Sequence, residues 1–119
     1  MAPLTDGCYL DYKHIGRAEE PGNLSVNTIA QCFNLNPITA EMDEAAASLV
    51  LGGQGNLWSE IIYAGKIAEY MIFPRICALA ETFWSTGKDR NIKDFGKRLE
   101  IHQQRLDKLG LLQYRGPMR

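Results

Sequence analysis

This sequence has no CxxC pair, no hydrophobic run of membrane-spanning length and no surplus of either charge. Each absence closes off a class. Cys8, Cys32 and Cys77 are odd in number and far apart, which argues against a disulfide framework or a zinc site and leaves buried thiols. No apolar run approaches the ~20 residues of a transmembrane helix, so no membrane partner is expected. A formal net charge of −1 gives no basic footprint for nucleic acid. The first residues also lack the basic-then-apolar order of a secretory leader. What remains is a chain of 119 residues, 45% hydrophobic and 23% charged, an ordinary globular composition with length for one modest core.

The most informative stretch is Leu49–Glu60, LVLGGQGNLWSE. Leu49-Val50-Leu51-Gly52 reads as the end of a helix running into a buried strand, because a short apolar run bounded by glycine suits a strand covered on both faces. Gly53 and Gly55 permit a sharp turn or a close approach that a Cβ would block. Trp58 and Glu60 follow directly, where α/β folds place their sites: at the carboxyl end of a parallel strand. The competing reading of that pair is a core indole with a solvated carboxylate.

Around that stretch the chain is largely helical. Met1-Ala2-Pro3-Leu4 is apolar and uncapped, as the last residues of a strand would be. Cys8–Tyr12 is a second short run with aromatic and acidic residues interleaved, and His14–Asn23 is a polar loop with Gly16, Pro21 and Gly22. Ser25 is the expected N-cap of a short helix reaching Gln31 or Cys32, with Asn36-Pro37 ending what precedes it. A helix from Thr39 or Ala40 to Ser48 carries its acids early. Pro74 divides Ile61–Ser85 into a helical segment around Ile67–Met71 and a second, largely buried helix closed by Ser85-Thr86-Gly87. The clearest periodicity is the last helix, Ile92 to Leu109. Ile92, Phe95, Leu99, His102, Leu106 and Leu109 fall at steps of three and four, and Gly110 provides the stop. That stripe is expected to pack on its own domain, with His102 as a hydrogen-bonded core histidine; the rival is a partner-helix interface.

Taken together, LGGQGNLWSE (Leu51–Glu60) and EYMIFPRICALAETFW (Glu69–Trp84) resemble the C-terminal part of the β-N-acetylhexosaminidases of glycoside hydrolase family 20. CYLDY at Cys8–Tyr12, FNLNP at Phe33–Pro37, and the end of the chain with His102, Arg105-Leu106 and Leu109-Gly110 match in order and spacing. The resemblance covers nearly the whole chain. It implies an α/β fold: the C-terminal part of a (β/α)8 TIM barrel, comprising the end of strand seven, strand eight and their helices, helix-rich as an isolated chain. A whole barrel takes about 250 residues, so residues 1–119 are expected to form one domain that is only a portion of it, with Met1 inside a strand.

The family removes terminal β-linked N-acetylglucosamine or N-acetylgalactosamine by substrate-assisted catalysis, an exception to the usual two-carboxylate scheme. The resemblance assigns Tyr9 to a hydrogen bond with the acetamido oxygen and Asp11 to sugar hydroxyls in the −1 subsite. It assigns Trp58 to the floor of the acetamido pocket and Glu60 to the 4- and 6-hydroxyls. These residue types suit those tasks. A phenol donates without being consumed, an indole covers an apolar sugar face, and carboxylates accept hydroxyl donors in short charge-assisted bonds. No metal or cofactor is implied; the partners implied are N-acetylhexosamine-terminated glycans. The family's catalytic Asp-Glu pair lies upstream of the tyrosine motif. Asp43-Glu44 lies downstream of it among helix formers, so it is expected to open a helix and not to catalyse. The chain alone is therefore expected to be inactive, and open barrel strands favour a homodimer or association with the missing N-terminal part. Two further readings are a non-catalytic sugar-binding remnant and a helical self-association module.

Overall fold

The computed structural model describes residues 6–85 and 89–119. The strand end expected at Met1–Leu4, and Thr86-Gly87 after the proline-led helix, lie outside the described residues. Five helices are seen among the described residues: α1 (Ile29–Asn34), α2 (Glu44–Ser48), α3 (Gly65–Ile72), α4 (Arg75–Trp84) and α5 (Ile92–Lys108). Two short parallel strands, β1 (Tyr12–Lys13) and β2 (Asn23–Val26), join them. The chain is thus a helix-rich piece of an α/β fold.

Capping chemistry corrects two expected helix starts. Ser25 is not an N-cap; it lies in β2. Thr28 caps α1 instead, because Gln31 stands three residues on and completes a reciprocal capping box. Gln31 N donates to Thr28 Oγ1 at 3.1 Å and Thr28 N donates to Gln31 Oε1 at 2.7 Å. α2 starts at Glu44 and not near Thr39, since Asp43 Oδ1 accepts from Ala46 N at 2.7 Å and sets the first turn there. Asp43-Glu44 thus does open a helix. The loop after β1 runs as expected up to Asn23, which is already β2. Gly22, at φ +130°, turns where a Cβ would lie 3.0 Å from Lys13 N.

The core joins α1, α4 and α5. Leu10, Ile29, Cys32, Phe33, Ala78, Leu79, Phe95, Leu99 and Tyr114 form one buried cluster. Phe33 and Phe95 meet with ring centroids 5.1 Å apart. The carbonyls at the end of α1, which have no partner within the helix, are held by side chains: Arg90 Nη1 donates to Phe33 O at 2.7 Å, beside the Thr82 hydroxyl. α5 follows its periodic pattern: Phe95, Leu99 and Leu106 are buried, Leu109 is the C-cap and Gly110 takes φ +71°. His102 is not in the core; it lies half-buried in a groove it shares with Cys77, Trp84 and Arg98. α3 is a turn longer than expected, and α4 buries only the face bearing Arg75, Ala78, Leu79 and Thr82. Trp84 is 91% exposed, with its side of α4 uncovered among the described residues.

The expected buried strand at Leu49–Gly52 is not formed. α2 does end at Leu49, but Leu49 is exposed and Leu51 is 99% exposed. A strand is buried by its neighbours, and here the segment pairs only further on, at Asn56.

Candidate functional site

The site is built where two segments distant in sequence meet. Asn56 N donates to Cys8 O at 2.8 Å and Leu10 N donates to Asn56 O at 2.7 Å, forming a parallel bridge between Tyr9 and Asn56. Alternation of side chains along extended backbone then separates two faces. Leu10 is buried in the core, and a Cβ on Gly55 would stand 3.0 Å from both Ile76 and Leu10, so these positions face α4. Tyr9 and Asn56, bridge partners, share the opposite face. Trp58 follows two residues beyond Asn56 and is 52% exposed. Glu60 lies in the 3-10 turn Ser59–Ile61 and is open to solvent.

Asp11 differs from the other three. It is 4% exposed, and its Oδ1 is enclosed with no hydrogen-bond partner among the described residues. Buried carboxylate oxygens are almost always bonded, so an enclosed free one is a vacant acceptor. The Tyr9 ring stacks on Tyr12 at 5.3 Å, which fixes the phenol beside it. The bridge thus sets the segment carrying Tyr9 and Asp11 beside the segment carrying Trp58 and Glu60. None of the four hydrogen-bonds to another among the described residues.

Arg75 holds this arrangement from below. Its guanidinium is fully buried and donates to Leu10 O (2.6 Å), Tyr12 O (2.8 Å), Asn27 O (2.9 Å) and Met71 O (2.6 Å). Two of those carbonyls flank Asp11 directly. Burial lowers the Arg75 pKa to about 10, against the opposing pull of Cys32 and Asp11, so it remains a cation at neutral pH. Cys32, buried beside it, has its thiol pushed up to about 12 by burial and stays protonated. From the sequence, Arg75 carries no expectation beyond its place in the motif EYMIFPRICALAETFW. The signal was present: an arginine inside the apolar run FPRICALA must find several acceptors or unfold the helix that buries it.

His14 is the second buried polar hub. Its Nε2–H donates to Tyr70 O at 3.0 Å, its ring stacks on Tyr114 at 4.0 Å, and its Nδ1 has no partner. Burial, and then the Arg75 charge, lower its pKa to about 3, so it is a neutral wedge between β1 and the C-terminal segment. Asp43-Glu44 stands apart from all of this: Asp43 spends an oxygen on the α2 cap and Glu44 is exposed.

Comparison with known proteins converges on one family. Residues 1–87 match the family model described as glycosyl hydrolase family 20, catalytic domain. The chain is 32% identical over 112 residues to a beta-hexosaminidase of Porphyromonas gingivalis, covering 93% of this chain and 14% of that protein. It is 29% identical over 79 residues to the mouse beta-hexosaminidase subunit beta, covering 66% of this chain and 15% of that one. Its fold superposes on the family 20 exo beta-N-acetylglucosaminidase of Vibrio harveyi, solved with N-acetylglucosamine, with a TM-score of 0.82 and 32% identity, over 91% of this chain and 17% of that one. A Streptomyces coelicolor beta-N-acetylhexosaminidase gives 0.80 at 25% identity, over 92% and 22%. The chain therefore spans only a minor part of the relatives it matches.

Proposed function

The chain belongs to glycosyl hydrolase family 20, and from that premise we propose that it carries part of the −1 sugar subsite of a β-N-acetylhexosaminidase. Tyr9 hydrogen-bonds the acetamido oxygen, Asp11 takes sugar hydroxyls, Trp58 floors the acetamido pocket and Glu60 binds the outer hydroxyls. In barrel terms the Tyr9 segment is the end of strand seven and the Asn56 segment is strand eight, with the surrounding helices on the outside. The observation that carries this reading is the Tyr9–Asn56 bridge, which sets both candidate segments side by side with an unpaired Asp11 oxygen at the junction.

Hydrolysis needs a general acid within reach of the leaving oxygen. Asp43-Glu44 does not supply it, being committed to the start of α2. The chain by itself binds N-acetylglucosamine weakly and does not cleave its glycosides. Release of p-nitrophenol from the N-acetyl-β-glucosaminide tests this, with Glu44→Gln as control. No release is expected from either protein; release abolished by Glu44→Gln would overturn the reading. Calorimetric titration with N-acetylglucosamine, expected to lose its signal in Trp58→Ala, tests the subsite itself.

The exposed apolar side chains of Leu24, Leu51, Tyr63 and Trp84 favour self-association or docking of the rest of a barrel. The α5 stripe gives the helical-module reading no support, since its central residues are spent inside this chain.

A further inference from the structure

Asp11 Oδ1 is not the only enclosed, unpaired atom at the junction: Asn56 Nδ2 is another. One is an acceptor and the other a donor, yet they do not bond each other. Asn56 is the bridge partner of Tyr9, and Asp11 stands two residues past Tyr9. The carboxamide of Asn56 is fixed from its far end, where Gln54 Nε2 donates to Asn56 Oδ1 at 2.9 Å. That leaves the N–H2 as the free end. The side chain is not needed for the bridge, which the backbone of Asn56 makes alone. Asn56 is half-buried, and its Nδ2, on the same side as Tyr9 and without a partner among the described residues, is a donor left without an acceptor.

We infer that Asn56 is a further substrate-binding residue, donating through Nδ2 to an oxygen of the bound N-acetylhexosamine while Asp11 receives a hydroxyl hydrogen. A hydroxyl is the sugar group able to accept from an amide and donate to a carboxylate at once. The inference rests on the subsite reading above and adds to it a residue that fixes which way a hydroxyl points.

The test is a nitrogen-15 NMR titration of the full 119-residue chain with N-acetylglucosamine, following the Asn56 side-chain N–H2 pair and the Trp58 indole N–H. Both are expected to move with one dissociation constant. Asn56→Ala is expected to weaken binding about five- to tenfold, as loss of one neutral hydrogen bond does, with the backbone spectrum otherwise kept. Asn56→Asp, equal in size but offering only acceptors and a second negative charge near Asp11, is expected to weaken it further. If Trp58→Ala loses binding while Asn56→Ala binds like the parent chain, the subsite stands and Asn56 has no part in it. If the parent chain shows no shift at all, the subsite reading fails and takes this inference with it. Where Asn56→Ala does not fold, the parent's Asn56 N–H2 resonances decide alone: unmoved at saturation, they overturn the proposal.

Discussion

Arg75 and Leu51 mark opposite ends of this molecule. The guanidinium of Arg75 is fully buried and spends its donors on four backbone carbonyls of its own chain, whereas Leu51 has 99% of its surface in solvent. A charged residue is inside and a leucine outside, the reverse of what their polarity favours. Burial here follows the partners available and not the side chain alone. Around Arg75 the chain supplies every acceptor needed; around Leu51 it supplies no covering element. The surroundings of Arg75 are complete in themselves, whereas Leu51 and, on the outer side of α4, Trp84 are left uncovered among the described residues.

The sharpest way to break this contrast is Arg75→Met. It leaves the carbonyls of Leu10, Tyr12 and Asn27 enclosed and unpaired, and a destabilisation of about 3–5 kcal/mol is expected. For a domain of this size that is a large share of the whole stability, so urea denaturation followed by circular dichroism is expected to show a collapsed midpoint. A midpoint like the parent's would mean the network is incidental.

Acid probes the same hub more gently. Burial lowers the folded pKa of His14 to about 3 from the ordinary histidine value of 6.5. The unfolded chain therefore binds the extra proton first as pH falls. Stability is full above pH 6.5, declines through the window down to about 3 and is flat below it, at a limiting slope of about 1.4 kcal/mol per pH unit. His14→Gln is expected to flatten that part of the stability profile, read by denaturation at stepped pH; an unchanged slope would assign the acid sensitivity elsewhere. The smallest effect belongs to the open face. Leu51→Ser is expected to change stability by no more than about 0.5 kcal/mol, because no contact is lost, and to reduce self-association in sedimentation.

What the sequence disclosed and what it hid divide along the same line. α5 was readable in its extent and in its buried residues Phe95, Leu99 and Leu106, because these are satisfied within the chain, while His102 and Leu109 share the period without sharing the burial. α4 was half readable: the apolar run was plain, but which of its faces finds a neighbour was not, so a helix expected to be largely buried leaves Trp84 outside. Leu49–Gly52 was misread for the same reason, since an apolar run states a demand for burial and is silent on whether it is met. At α1 both Ser25 and Thr28 are good caps, and only Gln31 three residues after Thr28 decides between them. The site residues came from the family motifs. Their meeting depends on a bridge between Tyr9 and Asn56 that no local pattern encodes, and Asn56, lacking an imprint of its own in composition or period, passed unnoticed.

The exposure of both indoles has a practical side. Trp84 is 91% exposed and Trp58 52%, so Trp84 already looks out on water in the native state and Trp58 does so over about half its surface. Tryptophan emission would therefore register the melting of this protein mainly through Trp58. The rings locked in place are His14, Tyr70 and Tyr114, and their near-ultraviolet dichroism is the signal that vanishes when tertiary packing goes. The two signals thus report separate places, indole fluorescence the surroundings of Trp58 and tyrosine dichroism the packing around His14.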